Sequence, residues 1–81
     1  MTTDIPKNLY LYSTSHCHLC ETAHALMMQL GIVNKLKIVE IADDERLLAR
    51  YGLKIPVLQR QDTLAELCWP FSEADTVKFL Q

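Results

Sequence analysis

The run LYLY, residues 9 to 12, is apolar and aromatic-rich, and it ends in Ser13, Thr14 and Ser15, which favour turns over strand interiors. This predicts a buried strand running into a loop. From His18 to Leu30 the apolar residues Leu19, Ala23, Leu26, Met27 and Leu30 recur at helical spacing, and Gly31 follows as a C-terminal stop. An amphipathic helix is expected there, with Met27 in the core and Met28 at the surface. KLKIVEI, residues 35 to 41, alternates and is rich in branched residues, so it reads as a second strand, parallel to the first. Asp43 is the expected N-cap of a second helix of about two turns, with Leu47, Leu48 and Tyr51 on one side and Gly52 at its end. IPVLQR (55 to 60) and TLAELCW (63 to 69) flank Gln61 and Asp62 and predict a hairpin. Ser72, with Asp75 three residues on, has the spacing of a capping box and opens a last helix carrying Val77, Phe79 and Leu80. The expected order is βαβαββα, an α/β fold with a four-stranded mixed sheet flanked by helices.

At 81 residues and 49% hydrophobic content the chain is expected to be one domain, residues 1 to 81, with a modest core that needs no staples. Its three cysteines, Cys17, Cys20 and Cys68, are too few for a disulfide-dense secreted scaffold. The N-terminus has no basic region followed by an apolar run, and no stretch approaches the ~18 apolar residues that span a bilayer. A cytoplasmic protein is expected. A net charge of -2 with singly scattered Lys and Arg gives no electrostatic footprint for nucleic acid or an anionic membrane. The expected partners are proteins or small molecules, and the expected state is a monomer.

HCHLC, residues 16 to 20, holds the densest chemistry in the chain. A CxxC pair is half of a zinc site or the whole of a dithiol redox centre. A structural zinc site normally takes four ligands, the sequence has no second CxxC, and a mononuclear site would have to recruit Cys68 or the histidines. The absence of a histidine after Cys20 excludes the usual c-type haem attachment. Dithiol redox chemistry is the favoured reading, with metal or iron-sulfur binding and a non-catalytic interaction module as its rivals.

LYSTSHCHLCE (11 to 21) and YGLKIPVL (51 to 58), together with the element order, resemble the glutaredoxin-like branch of the thioredoxin-like superfamily over nearly the whole chain. The first stretch is similar to that family's active-site turn, the second to the segment bearing its cis-proline. The resemblance implies a thiol-disulfide oxidoreductase acting on protein or small-molecule disulfides, and a cis Ile55-Pro56 bond that leaves the backbone of Ile55 to pair with a substrate strand. Pro6 and Pro70 are expected to be trans by base rate. The chain departs from the family in having His18 and Leu19 instead of a Pro-Tyr pair between the cysteines, and in lacking a lysine between Lys7 and Cys17. Where glutaredoxins place a Gly-Gly pair that helps bind glutathione, this chain has Trp69, Pro70 and Phe71. Glutathione remains a candidate reductant, but its binding site does not carry over with the fold; no bound cofactor and no metal are expected.

Cys17 fits the nucleophile, because a cysteine at a helix N-terminus meets unsatisfied N-H groups and the positive end of the dipole. That dipole lowers a thiol pKa by less than about one unit, so direct donors must supply the rest. Cys20, one turn deeper, can resolve a mixed disulfide at Cys17. The pair is also close enough in sequence to form the one expected disulfide, while Cys68 belongs to a separate strand. His16 and His18 are candidates for tuning Cys17, though an ordinary imidazole, pKa ~6.5, is only about one-quarter charged at neutral pH. Exposed polar residues at a helix start need no such role, and His24 is expected to be merely solvated. Glu21 is explained by the helix dipole, and Cys68 is expected to be a semi-buried strand residue. Pro56 should lie opposite Cys68 or Trp69, with Trp69 and Phe71 bordering the site as packing residues or substrate contacts.

Overall fold

The computed structural model describes residues 8 to 81; the expectation for Pro6 lies outside the described residues. Strand β1 (Leu9–Ser13) leads into helix α1 (His18–Gln29), then a short 3-10 turn (Val33–Lys35), strand β2 (Leu36–Glu40), helix α2 (Glu45–Tyr51), strands β3 (Val57–Arg60) and β4 (Glu66–Cys68), and helix α3 (Glu73–Leu80). The sheet order is β2-β1-β3-β4, with β1 parallel to β2 and antiparallel to β3, and β3 antiparallel to β4. This is the expected mixed four-stranded sheet with three helices. Among the described residues no helix is long and apolar enough to cross a membrane.

The LYLY run reads as continuously apolar because both faces of β1 are covered. Side chains alternate across a strand. Leu9 and Leu11 pack with Ala23, Met27, Leu58, Phe71 and Leu80, the face covered by α1 and α3. Tyr12 packs on the opposite face with Ile41, Tyr51 and Val57, beneath α2, and its ring stacks on Tyr51 with centroids 4.1 Å apart. A polar chain crosses this second layer: Tyr12 Oη donates to Gln59 Oε1 at 2.8 Å, and Gln59 Nε2 and the Tyr51 hydroxyl both donate to Glu66. Burial, followed by that bond to Glu66, pushes the Tyr51 phenol well above its ordinary pKa.

Several boundaries differ from expectation for local reasons. The N-cap of α2 is Asp44, not Asp43: the Asp44 N-H closes a turn onto Ile41 O, and its Oδ1 accepts from Arg46 N and Leu47 N at 2.9 and 3.2 Å. Asp43 lies inside that turn. Strand β3 begins at Val57 rather than Ile55, because the Ile55 N-H is spent on Tyr51 O and Pro56 has none to give. Strand β4 shrinks to three residues because the loop is longer than two: Leu64 adopts φ 64° and donates to Arg60 O. Leu19 lies on the apolar stripe of α1 but in its first turn, beyond the end of the sheet, and is 45% exposed. Leu48 is also exposed, since α2 turns Tyr51 inward. Cys68, expected to be semi-buried, is exposed because β4 is an edge strand that α2 leaves uncovered.

The Ile55-Pro56 bond is cis, as the resemblance implied, and the Trp69-Pro70 bond is also cis, which corrects the trans expectation for Pro70. An X-Pro bond prefers trans by only about 0.5–1 kcal/mol, so its surroundings decide the isomer. Here Trp69 is fixed by its N-H on Pro56 O at 3.1 Å and by edge-to-face packing against Phe71.

Candidate active site

The register collects the site at one end of the sheet. Ser13 pairs with Glu40 across β1 and β2, Tyr12 with Val57 across β1 and β3, and Val57 with Cys68 across β3 and β4. Continued by one residue, this gives the row Glu40, Ser13, Pro56, Trp69 at the carboxyl ends of the parallel strands, where open α/β sheets place their ligands. Trp69 therefore lies opposite Pro56, as expected. The loop after Ser13 turns sharply through His16, which takes φ 60°, a left-handed conformation that histidine tolerates better than most residues. That turn delivers Cys17 to the N-cap of α1.

Cys17 and Cys20 form a disulfide, with Cα atoms 5.2 Å apart, and Cys68 is free. Cys17 Sγ caps the helix, accepting from the Cys20 N-H at 3.2 Å. A sulfur thus holds the place usually taken by a serine or aspartate oxygen. In the reduced protein this donor, together with the helix dipole, favours thiolate over thiol at Cys17. The two sulfurs differ in access: Cys17 is partly exposed, while Cys20 is 6% exposed and faces the core beside Ala23 and Met27.

Helix α1 separates two hollows. One, about 310 Å³, is bordered by both cysteines, Ser13, Thr14, Ser15, His16, Glu21 and His24, over an apolar floor of Leu11 and Ile38. The other, about 300 Å³, is bordered by Thr22, Ala25, Leu26 and Gln29 of α1 together with Trp69, Phe71 and Ser72. Trp69 and Phe71 pack edge to face with centroids 5.0 Å apart; Phe71 is a core residue, and Trp69 is half-exposed. The His18 Nδ1 lies 3.9 Å from Glu21 Oε2 with both side chains exposed, and His18 does not line the hollow that both cysteines border. Pro56 is fully buried and Ile55 half-buried.

Glu40 is a residue of this site that the sequence reading did not single out. Its Oε1 accepts from Ser15 N at 3.0 Å and Ser15 Oγ at 2.9 Å, and its Oε2 from Ala42 N at 3.0 Å. The Ala42 N-H, then the Thr14 hydroxyl and Ser15, hold its carboxyl down to about 2. Glu40 therefore stays ionised and latches the loop that presents Cys17. Its signal in the sequence was indirect, since only the parallel register brings residue 40 beside residue 15.

Residues 8–81 match the family model of the glutaredoxin-like domain (DUF836), and the chain belongs to that family. Among solved structures it is similar to the X. campestris protein XcR50, whose crystal structure has a TM-score of 0.82 at 36% identity over 89% of this chain and 93% of that one. The Nitrosomonas europaea protein Ne2328, solved by NMR, has a TM-score of 0.79 at 27% identity over 100% of both chains. No curated protein matches the sequence.

Proposed function

We propose that this protein is a thiol-disulfide oxidoreductase in which Cys17 attacks and Cys20 resolves. The observation that carries this reading is the sulfur N-cap: Cys17 Sγ is partly exposed and bonded to the Cys20 N-H, with the Cys20 sulfur buried behind it. The Cys17 thiolate attacks a substrate disulfide, one substrate sulfur leaves as thiolate, and a mixed disulfide remains on Cys17. Cys20 then attacks Cys17 Sγ, the second substrate thiolate departs, and the protein holds the Cys17–Cys20 disulfide. Two electrons have passed to the substrate. A reduced thiol from the surrounding pool, glutathione or a protein dithiol, restores the pair, which suits a cytoplasmic setting and needs no bound cofactor.

Protein or peptide disulfides fit better than glutathione conjugates. The start of α3 is closed by its own side chains: Ser72 Oγ accepts from Asp75 N at 3.1 Å, and Asp75 Oδ2 accepts from Ser72 N at 2.9 Å. An incoming carboxylate would meet the Asp75 carboxylate, and beside it Trp69 and Phe71 fill the place of the family's glycines. Ile55 offers an extended partner less than the resemblance implied, because its N-H already donates to Tyr51 O and only its carbonyl is left to pair. Contact with Trp69 and with exposed Leu19 between the cysteines supplies the remaining affinity. The reading is tested by steady-state reduction of a disulfide-bonded protein against a glutathionylated peptide. Turnover of the protein disulfide with the higher kcat/KM supports it; no turnover of either substrate refutes the activity, and faster turnover of the glutathione conjugate refutes the preference.

A further inference from the structure

The thiol-exchange reading leaves one step without a proton acceptor. Cys20 must attack as a thiolate, yet it is 6% exposed beside Ala23 and Met27 on the core face of α1, where an unpaired negative charge is costly. Its proton has to be taken up as the attack occurs. The groups that could take it border the hollow of about 310 Å³ on the polar flank of α1. Cys17, Glu21 and His24 lie on that flank at i, i+4 and i+7, Cys20 stands at its border with the core face and still lines the hollow, and His24, four residues from Cys20, is its neighbour one turn on. His24 is half-buried rather than lying on a solvated face.

The other titratable groups around the hollow suit the task less well. Glu21 is exposed and turned toward His18, 3.9 Å away. A carboxylate, with an ordinary pKa of about 4.3, is also a weaker acceptor for a thiol proton than an imidazole at about 6.5. His16 is exposed in the turn before Cys17 and is separated from Cys20 by the helix start. Glu40, at the end of β2, has its carboxylate engaged by Ser15 and Ala42. Among the described residues the sheet gives the hollow only Leu11, Ser13 and Ile38, none of which titrates.

We propose that His24 is the proton acceptor for Cys20 in the resolving step. The Cys20 thiol passes its proton to the His24 imidazole, directly or through one water held in the hollow, as its sulfur attacks Cys17 Sγ. The bond between Cys17 Sγ and the substrate sulfur breaks, the substrate thiolate leaves with the electron pair, and the imidazolium returns the proton to that thiolate or to solvent. The first step, attack by Cys17, does not involve His24.

The two steps separate in a single turnover of the reduced protein, on a Cys68→Ser background, with one equivalent of a bis(nitrobenzoic acid) disulfide, whose thiolate product is coloured. The first release of colour reports attack by Cys17 and the second reports resolution by Cys20. With His24→Gln, and with His24→Ala as a second variant, the second release slows about tenfold or more near pH 6.5. The deficit shrinks to about twofold or less near pH 9, where hydroxide takes the proton, and the first release stays within about twofold throughout. Glu21→Gln leaves both releases within about twofold. An unchanged second release near pH 6.5, an equal slowing at every pH, or a parallel slowing of both releases would overturn the assignment. Absence of the first release in the Cys68→Ser parent would instead refute thiol exchange itself.

Discussion

Helices α1 and α3 begin alike, each on a turn after a strand with a side chain accepting the amide three residues on, yet one start is open to chemistry and the other is shut. At α1 the acceptor is Cys17 Sγ, a single atom bonded to Cys20 N and able to change its covalent partner. At α3 the acceptor is Ser72 Oγ, and Asp75 reaches back to the Ser72 N-H, so the helix start carries its own fixed anion. The far end of α3 is tied down as well: Arg60 Nη1 donates to Phe79 O at 2.7 Å and Gln81 O at 2.9 Å. The same helix-end physics thus suits the proposed reactive centre when the cap is a thiol, and makes a closed corner when it is a capping box.

Substitutions at the two caps should have opposite effects. Cys17→Ser keeps an oxygen cap and removes the nucleophile, so exchange should fall to background while the stability of the reduced protein changes little. Ser72→Ala should do the reverse, costing about 0.5–2 kcal/mol of stability with exchange retained. Paired chemical denaturation and insulin-type reduction assays on both variants decide this, and loss of exchange in Ser72→Ala would show that the two starts are not independent. Cys20→Ser should block turnover but leave one substrate thiol bound to Cys17, visible as an added mass in intact-protein spectrometry. A smaller effect is expected at the closed start: Asp75→Ala should raise kcat/KM for a glutathionylated peptide by about two- to fivefold, the size of one helix-end charge interaction, and leave a protein disulfide unaffected.

The smallest effect separates the Cys17 loop from both helices. The Glu40 carboxyl is held down to about 2, chiefly by the Ala42 N-H, against an ordinary value of 4.5. A carboxyl lowered in the folded state stabilises the fold above its unfolded pKa and loses that contribution as pH falls through the folded one. The latch is therefore complete above about pH 4.5 and released on descent to about 2. Thermal midpoints of the parent and Glu40→Gln should differ at neutral pH and converge near the acid end of that window. Parallel curves across the whole window would show that the loop does not depend on this charge.

What could be read in the sequence was whatever is encoded locally. The Ser72–Asp75 capping box spans four residues and needs no tertiary partner, and it forms as expected. The LYLY run and the Leu26, Met27, Leu30 stripe mark their own burial. Features that depend on long-range register were hidden. Glu40 looks like an ordinary strand-ending acid until β2 pairs with β1, and His24 looks solvated until the active-site loop walls off its flank of α1. Adjacent aspartates 43 and 44 are equivalent as caps by composition, and only the turn onto Ile41 chooses between them. Cys68 was expected to be a semi-buried strand residue, whereas the sheet order puts β4 at the edge and leaves it exposed.

Whether the sulfur cap makes Cys17 the nucleophile is decided by competitive alkylation of the reduced protein near pH 6, with peptide mapping of the label on each cysteine over time. Cys17 should be labelled first, well ahead of buried Cys20 and also ahead of Cys68, which is exposed but has no helix start beneath it. Equal labelling rates at Cys17 and Cys68 would contradict it, because exposure alone would then account for the reactivity.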